Sequence, residues 1–374
     1  MSERKPPISW DTTIFFLVLN LAAVTLVPWW GITQGYSGWA WAGFFGLFAL
    51  TGLGITVGYH RLWAHRSFKA RLPLRIVLAV FGGMALQNSI YNWAARHRVH
   101  HRHVDDVEHD PHSIKSGFWH AHMGWMVRRW PASEADYSKV PDLPHDPVVM
   151  WQHRYYWSLV WISNIGIPLA LGFLVGDPIG MLLLAGVLRL AASQHFTFFI
   201  NSLAHTWGKR PYSEENTAVD NGLIALLTWG EGYHNYHHAF QNDYRNGVRW
   251  WQYDPSKWVI RLCAWLGLAH DLRRTPNFKI QRARLDLQFR KLRERAEKGN
   301  VPPTWRETLE QEYQHFKDTV TEWQQLQMRR VEAGKTAVRD RWVGTELRTS
   351  FKELDYRLKM QRLRLRALLA AFSG

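Results

Sequence analysis

Residues 38–65 read GWAWAGFFGLFALTGLGITVGYHRLWAH, a long uncharged apolar run that ends in one histidine, an arginine and a second histidine. A helix needs about 20 apolar residues to cross a bilayer core, so the run from Gly38 to Tyr59 has the length of a membrane span. His60 and His65 stand at its mouth. Ionisable groups at such a position face protein or a cavity rather than lipid, and this directs attention to further spans and further imidazoles.

Thr13 to Trp30 is another uncharged apolar stretch, joined to the first by a short turn containing Gln34, Gly35 and Ser37. Residues 156–175 and 179–200 are two more, separated by the turn signal Gly176, Asp177 and Pro178. In the last of them Arg189, Gln194 and His195 should face the protein interior. Arg4 and Lys5 precede the first stretch, but no small-residue cleavage site follows Val27, Pro28, Trp29 and Trp30. It therefore reads as a retained span and not a signal peptide. Residues 76–95 are apolar but interrupted by Gln87, Asn88 and Asn92, which predicts a helix at the interface or capping a cavity.

The expected fold is an all-α integral membrane protein with four transmembrane helices in two hairpins, near 13–30, 38–59, 156–175 and 179–200. The polar segments 60–155 and 201–275 then form a His-rich helical cap on one side, and their Lys and Arg residues make that side cytoplasmic, with both termini on it. A soluble protein with buried core helices is the competing reading. The 22 Trp residues in 374 weigh against it, because Trp favours bilayer interfaces.

Of the formal charge of +15, most lies in residues 271–374, which hold 24 Lys and Arg against 14 Asp and Glu. The rest flanks the spans, where anionic lipid headgroups account for it without a nucleic-acid partner. In the tail, Leu309, Tyr313, Phe316, Val320 and Trp323 recur at steps of four and three. Leu347, Phe351, Leu354, Leu358 and Leu365 largely repeat the pattern beyond Gly334. Residues 276–374 are thus expected to be a separate basic helical hairpin, begun at Pro302 and Pro303, with a packing or dimerisation role. Residues 1–275 are expected to form the membrane domain.

With Cys263 the only cysteine, no internal disulfide, iron–sulfur cluster or Cys-rich zinc finger is available. Histidine carries the chemistry instead. Four clusters stand beside the spans: His60 with His65; His97, His100 and His101; Asn201 with His205; and His234, His237 and His238. Positions i, i+3 and i+4 share a helix face, so each HxxHH triple is expected to aim its imidazoles at one point. The five-residue step from His60 to His65 suits no regular α-helical face and predicts a helix end or bend near Trp63. Neutral imidazole suits iron, zinc, copper and nickel. Nine are too many for one ion and enough for two. Glu231 with His234, and Glu312 with His315, match the Glu-x-x-His spacing of carboxylate di-iron helices, and both are read as coincidence. No HExxH occurs.

The stretches GYHRLWAHRSFKARLPLR (58–75), QNSIYNWAARHRVHHR (87–102), DPHS (110–113), FINSLAH (199–205) and GEGYHNYHHAF (230–240) resemble the stearoyl-CoA desaturase family of acyl-CoA delta-9 desaturases, especially its bacterial members. The likeness covers about residues 40–270. It implies four spans under a cytosolic cap holding two irons, Fe2+/Fe3+. By motif, His60, His65, His97 and His237 would hold the first, with Asn201 placing its water. His100, His101, His205, His234 and His238 would hold the second. It further implies dioxygen-dependent insertion of a cis double bond into a saturated long acyl chain, which lies in a kinked apolar tunnel with Gln87, Trp93 and Thr197 at the bend. Asn88, Arg128 and Arg129 are implied for the headgroup.

Where the eukaryotic enzymes have an Arg-Asp pair before the third histidine, this chain has Ala95 and Arg96. A phospholipid-linked chain therefore rivals acyl-CoA as substrate. Neither a fused cytochrome b5 motif nor a nucleotide-binding GxGxxG is found, so electrons are expected from a separate ferredoxin or cytochrome b5 with its reductase, in a bacterial inner membrane. Two other readings use the same histidines: an alkane or lipid hydroxylase, and a non-redox membrane zinc-binding or transport protein.

Overall fold

The computed structural model describes residues 6–299, 302–335 and 341–372. Arg4 and Lys5 lie outside them. The chain forms two compact units, Met1–Arg210 with Glu215–Arg274, and Pro211–Glu214 with Thr275–Gly374.

In the first unit four helices are long and apolar enough to cross a membrane. The first two are α1 (Trp10–Thr33) and α2 (Gly38–Ala64). Helices α3 (Leu72–Gly83) and α4 (Ile90–Arg102) follow. The other two spans are α5 (Tyr156–Val175) and α6 (Pro178–His205), and a short α7 (His234–Ala239) comes after them. Each span exceeds or equals its expected bounds, because polar residues at the ends, His60 and His205 among them, continue the helices.

Exposed Ile14, Leu17, Val18 and Leu21 on α1, with Phe173 and Leu174 on α5, supply lipid-facing surface. The inner faces converge on α6: Leu19 packs with Leu190 and Ala191, and Val27 and Ala40 pack with Leu184. Leu47 joins Met84, Met181 and Ala185. A Cβ at Gly43 would lie 2.4 Å from the Met181 sulfur, so any larger residue there would displace the end of that side chain. At the hairpin tips, the Ser37 hydroxyl donates to Asp177 at 2.7 Å while the same carboxylate caps Gly180 N at 2.9 Å. One side chain thus ties both turns together.

The end of α2, Gly54–Ala64, is wound as a π-helix, and His65 N donates to His60 O at 3.0 Å. The helix ends at Ala64, one residue past Trp63, as expected. The i→i+5 winding absorbs the five-residue step and brings both imidazoles to one side. Residues 76–95 differ from expectation, since they are two helices and not one. Between α3 and α4, Leu86 and Asn88 take positive φ of 53° and 78°, so the chain reverses at Gln87. Buried Arg189 fastens this connection by donating to Met84 O at 3.0 Å and Asn164 Oδ1 at 2.6 Å.

Among its described residues the second unit contains α8 (Asn277–Lys298), α9 (Pro303–Lys335) and α10 (Arg341–Phe372), so a further long helix precedes the expected hairpin. Phe278, Leu285, Phe289, Leu292 and Ala296 of α8 share one core with Leu309, Phe316 and Trp323 of α9 and with Leu354, Leu358 and Leu365 of α10. Gly334 is helical within α9, and the connection between α9 and α10 lies outside the described residues.

Candidate metal centre

The helix α4 begins at Ser89, whose hydroxyl accepts from Asn92 N, and its last turn presents His97, His100 and His101. At 3.6 residues per turn, His97 and His101 lie only about 40° apart, while His100 lies about 100° from His101. Each HxxHH triple is accordingly divided between two groups instead of aiming at one point. His97 and His101 join His60, His65 and His237, with ligand nitrogens all within 4.8 Å of one another. His100 joins His205, His234 and His238 within the same limit. The division is reciprocal: α4 lends its i, i+4 pair to the first group and its middle histidine to the second, and α7 does the reverse.

His101 lies between the two groups: its Nε2 is 2.9 Å from His237 Nε2 and its ring 4.5 Å from that of His65. It also stacks on His238 at 4.4 Å, so it stands on the boundary where the two groups adjoin. Asn201 is half-buried, four residues ahead of His205 near the end of α6.

Ring nitrogens approach closely throughout: His60 to His237 at 3.0 Å, His65 to His97 at 2.8 Å and His234 to His238 at 3.1 Å. Among the described residues, buried His205 Nε2 and His234 Nδ1 have no hydrogen-bond partner. An unpartnered buried nitrogen is costly, and a cation at the centre of the group of His100, His205, His234 and His238 would satisfy that of His205. An all-imidazole donor set fits a transition metal and not magnesium or calcium.

Carboxylates hold these rings from behind. His60 Nδ1 is 2.9 Å from Glu231 Oε2, and Glu231 also accepts from Arg61 Nη2 at 2.9 Å and Asn246 Nδ2 at 2.7 Å. His100 Nδ1 meets Asp110 Oδ1 at 3.0 Å. His205 Nδ1 meets the Thr217 hydroxyl at 2.8 Å, and that hydroxyl donates to Asp105 at 2.6 Å. A partner on Nδ1 fixes the tautomer and leaves Nε2 free to bind metal. Glu231, read from its spacing as coincidence, is thus a positioning residue, whereas Glu312 pairs with Arg364 in the second unit. Asp105, Asp110, Thr217 and Asn246 were not singled out from the sequence. Only the DPHS stretch carried a signal, and its His112 lies ring to ring with His100 at 4.4 Å.

Burial, followed by the neighbouring imidazoles, pushes the pKa values of His65, His97, His101, His234, His237 and His238 well below the ordinary imidazole value. These rings are neutral, the form that binds metal. Burial alone lowers His112 most, to about 4. Burial raises Asp110 and Glu231, but the adjacent His100 and His112 in one case, and His60 and Arg61 in the other, outweigh it and hold both carboxyls below their usual range.

The residues expected at the tunnel bend meet in a hydrogen-bonded chain: Trp93 Nε1 donates to Gln87 Oε1 at 3.3 Å, and Gln87 Nε2 donates to the Thr197 hydroxyl at 2.9 Å. Gln87 and Thr197 line a small cavity with Gly52, Ile55, Phe196 and Trp229. Asn88 has a local task, accepting from Ser89 N at 2.9 Å and Asn92 Nδ2 at 2.6 Å. Arg128 donates to Pro6 O at 2.7 Å, and Arg129 is exposed.

The sequence profile of the fatty acid desaturase family matches residues 37–271, more than half of the chain. The chain is 46% identical over 236 residues to a probable acyl-CoA desaturase of Schizosaccharomyces pombe, covering 63% of this chain and 49% of that one. It is 40% identical to acyl-CoA desaturase 1 of Saccharomyces cerevisiae, covering 68% of this chain and 50% of that one. With stearoyl-CoA desaturase 5 of Bos taurus the identity is 38%, over 74% of this chain and 83% of that one. The chain therefore spans about half the length of the two fungal relatives.

Proposed function

Since the chain belongs to the fatty acid desaturase family, we propose that it is an oxygen-dependent, non-haem di-iron desaturase that places a cis double bond, at the delta-9 position, in a saturated long-chain acyl-CoA. The observation that carries this reading is the meeting of nine imidazoles in two adjoining groups beside a narrow cavity. Two adjacent methylenes lose two hydrogens, and dioxygen takes these together with two electrons and two protons to give two waters. Two irons, one in each group, would supply that reduction of dioxygen and the oxidising power for hydrogen removal.

The protein's own residues do the rest. Glu231, Asp110 and Thr217 hold ligand rings in the tautomer that faces the centre. Gln87, Trp93 and Thr197 set the bend of the acyl chain, and the apolar wall of Ile55, Phe196 and Trp229 excludes water from it. Asn201 would place a water on the iron held by His60, His65, His97 and His237. Arg128, Arg129 and Asn88 would meet the headgroup, on the cytoplasmic side that the positive residues of the cap favour. Electrons would come from a separate acidic carrier protein.

The purified protein, loaded with iron and supplied with a reductase system, should convert stearoyl-CoA to a monoene with the double bond at carbon 9. Conversion only of a stearoyl phospholipid would move the substrate to the bilayer, and hydroxy acids without monoenes would replace desaturation by hydroxylation. Zinc retained in place of iron, with no turnover after iron loading, would remove the oxidative reading altogether.

A further inference from the structure

The loop that leaves α4 has two faces of opposite use. Asp105, at φ 65°, and Asp110 turn inward and hold Thr217 and His100, which serve the four-histidine group. His103, Asp106 and His109 form a second cluster, with one ligand atom from each lying within 4.8 Å of the others. The His103 and His109 rings stack at 5.0 Å, and His109 Nδ1 lies 2.8 Å from Asp106 Oδ2. The chain path makes this spacing natural, because Asp106 N donates to His103 O and Asp110 N to Asp106 O, so residues 103, 106 and 109 return to one side. None of these three belongs to the nine-imidazole centre.

We propose that His103, Asp106 and His109 form a separate, solvent-accessible binding site for a divalent transition cation of the zinc, cobalt or nickel type. Two imidazoles and one carboxylate are the donor set of open, three-ligand zinc sites, whose remaining position is filled by water. Magnesium and calcium would want more oxygen than the loop offers. The side chains of His109 and Asp106 are 57% and 39% exposed, so a cation reaches them from solvent, whereas the nine-imidazole groups are mostly closed. On binding, the cation takes the place of the proton shared by His109 and Asp106. Because the same loop carries Asp105 and Asp110 on its inner side, an occupied outer site braces the two carboxylates that orient His205 and His100. The site is thus placed to couple external metal to the geometry of the inner centre.

Calorimetric titration of Zn2+ into the iron-loaded protein in detergent tests this without any assay of turnover. One binding phase of one zinc per chain is expected, lost in His109→Ala and in His103→Ala, and retained in the control His145→Ala. His97→Ala should lose inner metal yet keep the zinc phase, which separates this site from the di-iron reading. An unchanged zinc phase in the His103→Ala, His109→Ala double variant, or no saturable phase in the parent protein, would overturn the proposal.

Discussion

Replacing Asp110 by Asn keeps the shape of the site and removes one charge, which makes it a sharp probe of how the second histidine group is held. The carboxylate accepts from His100 Nδ1 at 3.0 Å and from Asp105 N at 3.1 Å. An amide can keep one of these bonds but no longer dictates the tautomer of His100 or raises its basicity as a ligand. Loss of such an outer partner lowers metal affinity about 10- to 100-fold, or about 1.4–2.8 kcal/mol. The structural cost of one weakened hydrogen bond is about 1 kcal/mol, so folding survives and the affinity change dominates. Competition with a graded series of chelators should therefore show one of the two irons released at roughly tenfold or more lower chelator strength, with the other unaffected. Equal retention of both irons, or equal weakening of both, would refute the claim that Asp110 acts through His100. Because the folded-state value of Asp110 is depressed, its stabilisation is present above the ordinary carboxylate range and disappears only as pH falls through that lowered value.

His237→Ala should remove one ligand of the five-histidine group and abolish turnover while the four spans still insert; turnover in that variant, measured by product analysis, would exclude His237 from the site. Thr197→Leu breaks the bond from Gln87 and narrows the cavity, so chain-length or positional preference should change, and an identical product profile would sink the placement of the bend. In metal-free protein, thermal stability should be complete above the ordinary imidazole pKa of about 6.5 and fall as pH drops below it, since six buried rings have depressed values and the unfolded chain binds their protons first. A stability that rises on acidification would contradict this. Asp177→Ala unties the hairpin tips and should cost about 1–3 kcal/mol in detergent unfolding, with no effect on iron content.

The four spans and the convergence of nine histidines were legible because length, polarity and histidine spacing are local properties of the chain. That each triple is divided between two groups came from the resemblance and not from helix periodicity, which places i, i+3 and i+4 on one face. The five-residue step gave the helix end near Trp63 but not the π-winding of Gly54–Ala64 that precedes it. Helix α8 was missed despite a clear seam at Phe278, Leu285, Phe289, Leu292 and Ala296, because its many charges masked the apolar positions. Glu231 and Asp110 were beyond reach for a different reason. Their role depends on partners 171 and 10 residues away, His60 and His100, and only the folded chain brings a carboxylate to a particular ring nitrogen.

Those carboxylates also answer an electrostatic problem that the ligands create. Nine neutral imidazoles bring no charge, so two divalent irons would sit in a buried site with four positive charges uncompensated by their own donors. Uncompensated buried charge is prohibitive unless countered nearby. Glu231 and Asp254 share Arg61, and Asp110 and Asp105 stand behind His100 and Thr217, which leaves a net of three negative charges just outside the ligands. Placed there, the carboxylates offset most of the charge without binding metal, so the donors stay uniform while the field is tuned from a second layer. Arg61, buried between Glu231 and Asp254, is what keeps that layer from becoming too negative in metal-free protein. Arg61→Met should accordingly weaken the folded metal-free protein more than the iron-loaded one. A larger loss in the iron-loaded form, measured by thermal unfolding of both, would show that the arginine serves some other end.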